Sequence, residues 1–329
     1  MHAQFLPLLQ CPETREPLTL EAKEIRPNGF VVTGTLSSPS GRQYPIINGI
    51  PRFVAKESYS KSWGFEWNFW PRVQFEDHLK GTPMEGVTRD KVERIILLKQ
   101  EEFKGKTVME VGCGPGHFMD VMLSGGARLI GLDMSLAVEA CRKNFPENPD
   151  VLIVQGDLTK TPIRDAVLDG AVGIGVFHHI PKPEVGVKDV ARSVKPGGFM
   201  AVAVYTHTGD YARPAVQWHR WVFKRLMPVF GNWPPLIASY ISAYVIYYIH
   251  LLLYKVRLGF VAEFMQKYVW VSTEFPNADF RACDNFDMMT PIHASTHSPE
   301  EVVSWLKAAG CNEIKDSKWN LSAKVGVKS

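Results

Sequence analysis

Short apolar runs alternate with amphipathic segments through the middle of this 329-residue chain. The runs have the length of buried strands, and the segments between them are typical of helices. Strands that alternate with helices predict a parallel, doubly wound α/β sheet between Thr107 and Tyr205. Two later runs predict a closing antiparallel hairpin, at Glu313–Trp319 and Leu321–Val327.

The most informative stretch joins the first of these runs to a glycine-rich turn. It contains, in order, Glu110, Gly112, Cys113, Gly114 and Gly116. Glycine lets the backbone bend sharply and lets a ligand approach without a Cβ in the way. Asp133 ends the second run, at the offset where an acid hydrogen-bonds ribose hydroxyls in nucleotide-binding sheets. The turn and the acid together predict a nucleoside site.

The glycine spacing argues against a dinucleotide ligand. The fingerprint G-x-G-x-x-G needs a glycine at position 117, where a helix N-terminus reaches the pyrophosphate, and this chain has His117. The third glycine comes one residue earlier, at Gly116. A ligand with an ammonium group and a nucleoside but no phosphate suits this spacing and the preceding acid, Glu110. We expect His117 to begin a helix rather than to act as a catalyst.

On these residues the sequence resembles the class I S-adenosylmethionine-dependent methyltransferases, in the branch that acts on small molecules. Later landmarks follow in the family's order: Asp133, Gly156-Asp157-Leu158, Gly175-Val176-Phe177-His178-His179-Ile180 and Lys195-Pro196-Gly197-Gly198. The resemblance implies a seven-stranded Rossmann-like sheet. It also implies S-adenosylmethionine as the cofactor, with S-adenosylhomocysteine as the product, but it does not identify the acceptor.

The resemblance implies which residues bind the cofactor. Asp133 falls at the ribose and Gly156-Asp157-Leu158 at the adenine, and the remaining core positions are Glu110, Gly112, Cys113, Gly114, Gly116, Met134 and Gly175. Residues 58–90 are rich in aromatic side chains, and the segment before the first helix often closes over the cofactor in this family. We favour a strap that packs across the core, with Tyr59 and Trp63 lining the methionine end of the cofactor as the alternative.

Histidines are the candidate bases. Methyl transfer from a sulfonium gains much of its rate from alignment, and a base is needed only when the acceptor must lose a proton. Histidine suits that work near neutral pH. Four histidines qualify by position, namely His178, His179, His293 and His297, with Tyr205 and His207 in reserve.

Residues 1–57 contain short β-like runs divided by prolines and glycines. They resemble the zinc-ribbon activator module that accompanies some methyltransferases, but its cysteine knuckles are eroded. Cys11 remains, whereas Thr14, Ser37 and Ser40 stand where thiolates would be. Hydroxyls are poor zinc ligands, so we expect a ribbon-like β module without a metal.

Residues 207–280 form an insertion after the fifth predicted strand. Its second part, Leu236–Tyr254, has no formal charge and is long enough to cross a bilayer. A crossing would separate the last sheet elements from the first five strands, so we favour a helical lid over the acceptor. In-plane membrane contact or homodimerisation through residues 207–262 is the alternative.

The chain thus divides into five predicted segments. Ser298, Pro299 and Glu301 predict a capped helix near the C-terminus, and Asp90 predicts the start of another. The segments are a degenerate zinc-ribbon-like module at 1–57, an aromatic strap or cofactor cap at 58–90, the methyltransferase core at 91–206 and 281–329, and a helical insertion or substrate lid at 207–280.

The composition limits which binding partners and which cellular location we expect. Thirty-seven basic and 34 acidic residues leave a net charge of +3, which is too even for a surface that coats nucleic acid. Five scattered cysteines form no disulfide framework, and the N-terminus lacks the pattern of a signal peptide. We expect a cytoplasmic protein, with membrane association through the insertion as the alternative.

Three functions remain open. The first is methylation of a small hydrophobic or aromatic acceptor, such as a polyketide, quinone, lipid or glycosyl intermediate, because the apolar insertion would supply a water-excluding pocket. The second is methylation of RNA or protein presented by the N-terminal module. The third is a catalytically silent scaffold that binds the cofactor.

Overall fold

The computed structural model describes residues 1–54, 61–273, 275–319 and 322–329. Its strands are β1 (Thr19–Ile25), β2 (Val31–Ser37), β3 (Gln43–Ile47), β4 (Ile50–Pro51), β5 (Thr107–Val111), β6 (Arg128–Asp133), β7 (Val151–Gln155), β8 (Leu168–Ile174), β9 (Val194–Val204), β10 (Cys311–Asp316) and β11 (Ser322–Lys328). Its α-helices are α1 (Lys61–Phe69), α2 (Glu76–Leu79), α3 (Val87–Ile96), α4 (His117–Ser124), α5 (Ala137–Asn144), α6 (Pro183–Arg192), α7 (Pro214–Phe230), α8 (Trp233–Ile241), α9 (Tyr247–Lys255), α10 (Gly259–Gln266), α11 (Ala278–Met289) and α12 (Pro299–Ala308).

Seven strands form the central sheet, in the order β10-β11-β9-β8-β5-β6-β7. The pairs from β9 to β7 are parallel, whereas β11 pairs antiparallel with both β9 and β10. Helices cover both faces, so the parallel strands are buried along nearly their whole length and are correspondingly apolar in sequence. The predicted doubly wound, Rossmann-like sheet is confirmed.

The strand order creates a crevice beside β5. From β5 the chain builds β6 and β7 on one side, and it then crosses to β8 on the other side. In open parallel sheets, ligands bind outside the carboxyl ends of the strands at such a switch point. The glycine turn after β5 therefore lies where this topology places a ligand site.

The sequence predicted the start of helix α12 correctly and the start of helix α3 less accurately. The predicted cap at Ser298 is present: the Ser298 hydroxyl accepts a bond from the Glu301 backbone N–H, and the Glu301 carboxylate accepts one from the Ser298 N–H. The helix predicted at Asp90 begins earlier, at Val87. It ends at Ile96 because the next residue has a left-handed backbone with φ of 62°.

The N-terminal module is a four-stranded antiparallel sheet, β1-β2-β3-β4, that docks on the edge of the central sheet. Beyond β4 the chain runs parallel to β7, and the Phe53 N–H donates to the Gln155 carbonyl at 2.8 Å. The module thereby covers an edge strand that would otherwise expose unpaired backbone groups. The Cys11 sulfur is buried 3.1 Å from the Tyr44 hydroxyl. Within the described ranges, no three or more His, Cys, Asp or Glu side chains are grouped to hold a metal ion.

The insertion is helical, and it extends further than predicted. Helices α8 and α9 form one continuous helix from Trp233 to Lys255, with a π-helical turn at Ser242–Ile246. The boundary predicted at residue 281 falls inside α11, which packs against α1, α7 and α8. The helical layer therefore continues to Met289, and the core resumes after it.

Candidate active site

A cavity of about 590 Å³ opens at the carboxyl ends of the five parallel strands. The residue that follows each of these strands lines it: Gly112, Met134, Gly156, Gly175 and Tyr205. The cavity also contains other predicted cofactor residues, namely Trp63, Glu110, Cys113, Gly114, Asp133, Asp157 and Leu158. Tyr59 lies outside the described residues. The topology thus brings together around one cavity residues that are up to 142 positions apart in the sequence, from Trp63 to Tyr205.

The three glycines of the turn have different neighbours. Gly112, Gly114 and Gly116 all have positive φ angles, of 67°, 52° and 90°. A Cβ on Gly114 would lie 3.2 Å from the Trp67 indole nitrogen, inside the cavity wall. A Cβ on Gly116 would lie 2.4 Å from the Phe145 ring, in the core. Gly116 does not line the cavity, and its Cβ position faces Phe145 and Cys141 at the end of α5, so a direct contact with the ligand stays a prediction.

Two acids converge beside the turn. Glu110 on β5 is only 1% exposed, and its Oε2 has no hydrogen-bond partner among the described residues. Burial and the neighbouring charge of Asp133 raise the pKa of Glu110 well above its usual value. A buried carboxyl group with an unsatisfied oxygen is stabilised by a cation, so this position suits an ammonium group.

Asp133 is held in place by its own loop. It accepts hydrogen bonds from the Gly114 N–H at 3.0 Å and from the Ser135 N–H and hydroxyl, each at 2.7 Å. Burial raises the pKa of Asp133, and these three donors oppose the increase. Its carboxylate is thus oriented at the end of β6, where it can accept hydrogen bonds from ligand hydroxyls. Asp157, after β7, is similarly fixed by Thr159 at 2.8 Å.

Helix α1 forms the opposite wall of the cavity. Trp63 and Trp67 both line it; the Trp63 ring centroid lies 4.8 Å from that of His179, and the Trp67 centroid lies 5.7 Å from that of His117. The predicted aromatic cap is therefore a helix that contacts both sides of the crevice. His117 is the first residue of α4, as predicted, and burial lowers its pKa to about 3.

Of the four predicted bases, His179 lines the cavity. Its Nδ1 donates to the His293 carbonyl at 2.9 Å, so the lone pair resides on Nε2. Burial lowers the pKa of His179 to about 3, which keeps the ring neutral.

The other three histidines do not line the cavity. His178 is fully buried, and its Nδ1 accepts from the Tyr205 backbone N–H at 3.3 Å. His297 is bonded through Nε2 to Ser295 at 2.7 Å, and its ring packs on Trp305. These contacts give both rings structural partners, and the choice of a base among the four histidines stays a prediction.

The far end of the same cavity is aromatic and comes mainly from the insertion. Tyr205 and Tyr211 stack with centroids 4.2 Å apart, and Trp270 and Met288 continue the wall. The Tyr211 hydroxyl and the Trp270 indole N–H are both buried without a partner in the described part of the chain. This end suits an apolar ring that carries an oxygen acceptor.

Asp287 is the main residue that sequence reasoning missed. It lies on α11 at the aromatic end of the cavity, and its Oδ2 accepts a hydrogen bond from the Tyr205 hydroxyl at 3.3 Å. Burial raises the pKa of Asp287, and hydrogen bonds from Tyr205 and Trp63 oppose the increase. The available signal was an acid between Phe286 and Met288, both of which are buried.

Comparison with known proteins agrees with this geometry. Residues 109–202 match the family model described as a methyltransferase domain. A probable S-adenosylmethionine-dependent methyltransferase of Mycolicibacterium smegmatis is 34% identical over 100 residues, which are 30% of this chain and 38% of that protein. The ubiquinone biosynthesis O-methyltransferase of Maricaulis maris is 28% identical over 160 residues, 46% of this chain and 62% of that protein.

Among solved structures, human N-acetylserotonin methyltransferase in complex with S-adenosylmethionine aligns with a TM-score of 0.46 at 13% identity. The alignment covers 84% of this chain and 60% of that chain. This chain spans 38% and 62% of the lengths of the two curated relatives above. The sheet order and the acids beside the glycine turn agree with this similarity, which identifies residues 109–202 as a methyltransferase domain.

Proposed function

We propose that the protein is an enzyme that transfers the methyl group of S-adenosylmethionine to a small hydrophobic or aromatic acceptor. The observation that carries this proposal is one cavity with two chemically different ends. Acids and glycines line one end, and stacked aromatic rings line the other. When bound, the cofactor supplies an electrophilic methyl group on a sulfonium centre.

The acidic end fits this cofactor. The unsatisfied Glu110 oxygen can accept a hydrogen bond from an ammonium group, and Asp133 can accept bonds from ribose hydroxyls. Asp157 and Leu158 line the wall farther along, where the family resemblance puts the adenine. S-adenosylhomocysteine keeps the same ammonium and ribose groups, so it should bind at the same residues.

The aromatic end would bind and orient the acceptor. Tyr211 and Trp270 exclude water and offer two unpaired donors to an acceptor oxygen. Asp287 can accept the proton that a hydroxyl acceptor must lose, and its raised pKa brings it closer to the operating pH. His179, with a pKa of about 3, is a weaker base and is better suited to accept a hydrogen bond through Nε2.

A hydroxylated aromatic acceptor is the class that these features support best. The relative from Maricaulis maris is named as a ubiquinone biosynthesis O-methyltransferase, which is consistent with this acceptor class for the present chain. Transfer to oxygen needs both alignment and a base, and the cavity offers Asp287 for the second task. A cytoplasmic location remains a prediction.

The test has two steps with the full chain. Calorimetric titration should show saturable binding of S-adenosylmethionine and S-adenosylhomocysteine, and no binding at millimolar ligand would refute the cofactor assignment. Transfer from methyl-labelled cofactor is then measured with dihydroxybenzoates, long-chain catechols, total RNA and mixed protein. Label in the catechols supports the proposal. Label in RNA or protein, or cofactor binding without any transfer, would refute the acceptor class.

A further inference from the structure

Exposed apolar side chains are concentrated on one part of the protein, the helices of residues 218–268. Among the described residues, nineteen of the twenty-five exposed large hydrophobic side chains lie in this segment. Examples are Trp233, Leu252, Phe260 and Phe264, which are 66%, 58%, 71% and 58% exposed. We call these side chains the apolar surface. So many exposed apolar side chains within one helical segment are typical of an interaction site, whereas exposed hydrophobic residues of soluble proteins are usually scattered.

The long helix Trp233–Lys255 presents the apolar surface while it lies against the protein. Its length, and the mean hydropathy of 1.7 of an 18-residue window within it, would allow it to cross a membrane, yet 28% of that window is buried. Leu236, Ser239 and Ala243 form its buried face, and the Arg281 guanidinium of α11 donates to the Ala243 carbonyl at 3.1 Å. A crossing would carry Arg281 into hydrocarbon, which is costly. The contacts therefore favour a helix that lies along a membrane surface.

Charge identifies the kind of surface that this region fits. Residues 211–273 contain seven basic side chains and one acidic side chain, Glu263. Because the whole chain has a net charge of +3, this segment carries +6 and the remainder carries −3. Lys224, Arg225, Lys255 and Arg257 are all exposed. Basic residues beside exposed tryptophan and tyrosine are typical of elements that lie on anionic bilayers.

A second copy of the chain fits the region less well. In a two-fold symmetric dimer the same patch would face itself, so two segments of +6 would approach each other. An anionic bilayer neutralises the charge and accepts the aromatic and aliphatic side chains together.

The apolar surface adjoins the cavity. Gln266 and Trp270 line the cavity, whereas Phe264 and Tyr268, two residues before each of them, are exposed. One short stretch of chain therefore contributes both to the wall of the acceptor end and to the apolar surface. An acceptor dissolved in the bilayer would have a short route into the cavity.

We propose that residues 218–268 dock the protein on an anionic lipid bilayer, with the long helix in the plane of the interface and the acceptor end of the cavity close to the lipid. The docking itself does not depend on methyl transfer.

The test is flotation of the full chain with vesicles of phosphatidylcholine alone or with 30% phosphatidylglycerol, over a range of salt concentrations. We expect flotation with the anionic vesicles that falls as salt rises, and at least about ten-fold weaker binding to the neutral ones. A protein that stays at the bottom of the gradient with both vesicles would overturn the proposal. A dimer without vesicle binding would also overturn it. In that case sedimentation would show a dimer, and replacing Leu252, Phe260 and Phe264 by serine would dissociate it.

Two variants separate the components of the surface. Leu252→Ser with Phe260→Ser and Phe264→Ser removes apolar area, and Lys224→Gln with Arg225→Gln, Lys255→Gln and Arg257→Gln removes charge. Each should weaken anionic-vesicle binding about ten-fold or more. The matched control is Ile25→Ser with Ile47→Ser, which changes exposed side chains of the N-terminal sheet. Circular dichroism checks that all variants are folded, and an equal loss in the control would contradict the placement.

Discussion

The Tyr205 hydroxyl donates a hydrogen bond to the Asp287 carboxylate across 3.3 Å. Tyr205 follows the last parallel strand, and Asp287 lies 82 positions later on α11, so the bond ties the end of the sheet to the helical layer above it. Both residues line the aromatic end of the cavity. The pair therefore connects the cofactor crevice to the part of the site proposed to hold the acceptor.

Replacing Asp287 tests its role as a base. Asp287→Asn keeps the shape and the Tyr205 bond but cannot take a proton. We expect single-turnover methyl transfer to a hydroxyl acceptor to fall by about 10²–10⁴ while calorimetric affinity for S-adenosylmethionine stays within about two-fold. Tyr205→Phe should have a smaller effect, since it removes only the donor to Asp287. An unchanged transfer rate in Asp287→Asn would show that another group takes the proton.

Glu110 is expected to help cofactor binding at the expense of stability. Burial raises its pKa, so its ionisation opposes folding above the pKa of the unfolded chain, and this penalty grows as pH rises toward neutrality. Glu110→Gln should therefore raise the Tm of the ligand-free protein at pH 7.5. It should also weaken S-adenosylmethionine binding about ten-fold or more, because the ammonium loses its charged partner.

The matched control for Glu110 is Glu21→Gln, which changes an exposed carboxylate on β1. Thermal melts with and without S-adenosylhomocysteine measure both effects at once. A lower Tm in Glu110→Gln, or a ligand-induced shift equal to that of the wild type, would contradict the assignment.

Substitutions at two glycines of the turn should have different effects, one on cofactor binding and the other on stability. Gly114→Val places a side chain against Trp67 in the cavity wall, so cofactor binding should be lost while the protein remains folded. Gly116→Ala places a Cβ 2.4 Å from the Phe145 ring, so it should destabilise the core by about 1–3 kcal/mol. Urea unfolding and calorimetric titration separate the outcomes. Normal affinity in Gly114→Val would mean that the ligand lies elsewhere.

The buried His117 should make the free energy of unfolding depend on pH. Burial lowers its pKa to about 3, below the value of about 6.5 in an unfolded chain. The unfolded chain therefore binds one more proton between these values, and stability falls as pH decreases through this window. Between pH 7.5 and 5.5, the wild type should lose about 1 kcal/mol more unfolding free energy than His117→Phe. Urea titrations at the two pH values measure this difference, and equal losses would refute a buried neutral His117.

Arg281 should be essential for anchoring the insertion. It is fully buried, and it donates to the carbonyls of Ala243, Phe275 and Pro276 at 2.7–3.3 Å. Its guanidinium carbon also lies 3.5 Å from the Tyr247 ring centroid. Arg281→Gln should cost about 2–4 kcal/mol of unfolding free energy and expose the long helix to limited proteolysis. Arg257→Gln, at an exposed arginine, is the control, and similar stability of the two variants would contradict the anchoring role.

The sequence alone predicted that Glu110, Asp133 and Gly156 would lie around one crevice, because these residues occupy strand ends. Glu110, Asp133 and Gly156 each belong to a short local pattern, and the carboxyl ends of parallel strands meet at one edge of the sheet. Their convergence therefore followed from the fold class alone. The capped helix at Ser298 was predictable for a similar reason, since its hydrogen bonds join residues three positions apart.

The other end of the site could not be found in this way. Asp287, Tyr211 and Trp270 meet only because α11 and the insertion fold back over the sheet, and short-range periodicity carries no information about such long-range contacts. The same limit applies to His178 and His179. They are adjacent in the sequence, and the sequence does not show which of them faces the cavity. Packing leaves His179 in the cavity wall and buries His178 behind Tyr205.

By itself, the sequence determined the sheet and the position of the glycine turn, because each depends on spacings within one strand–turn–helix unit. S-adenosylmethionine as the cofactor is the prediction that follows from that turn. The tertiary structure decided which side chains line the aromatic end of the cavity, that a Cβ on Gly116 would meet the Phe145 ring, and that much of the charge-free stretch Leu236–Tyr254 is exposed. These outcomes depend on which face of each helix the rest of the chain covers, and burial of that kind is a property of the whole fold.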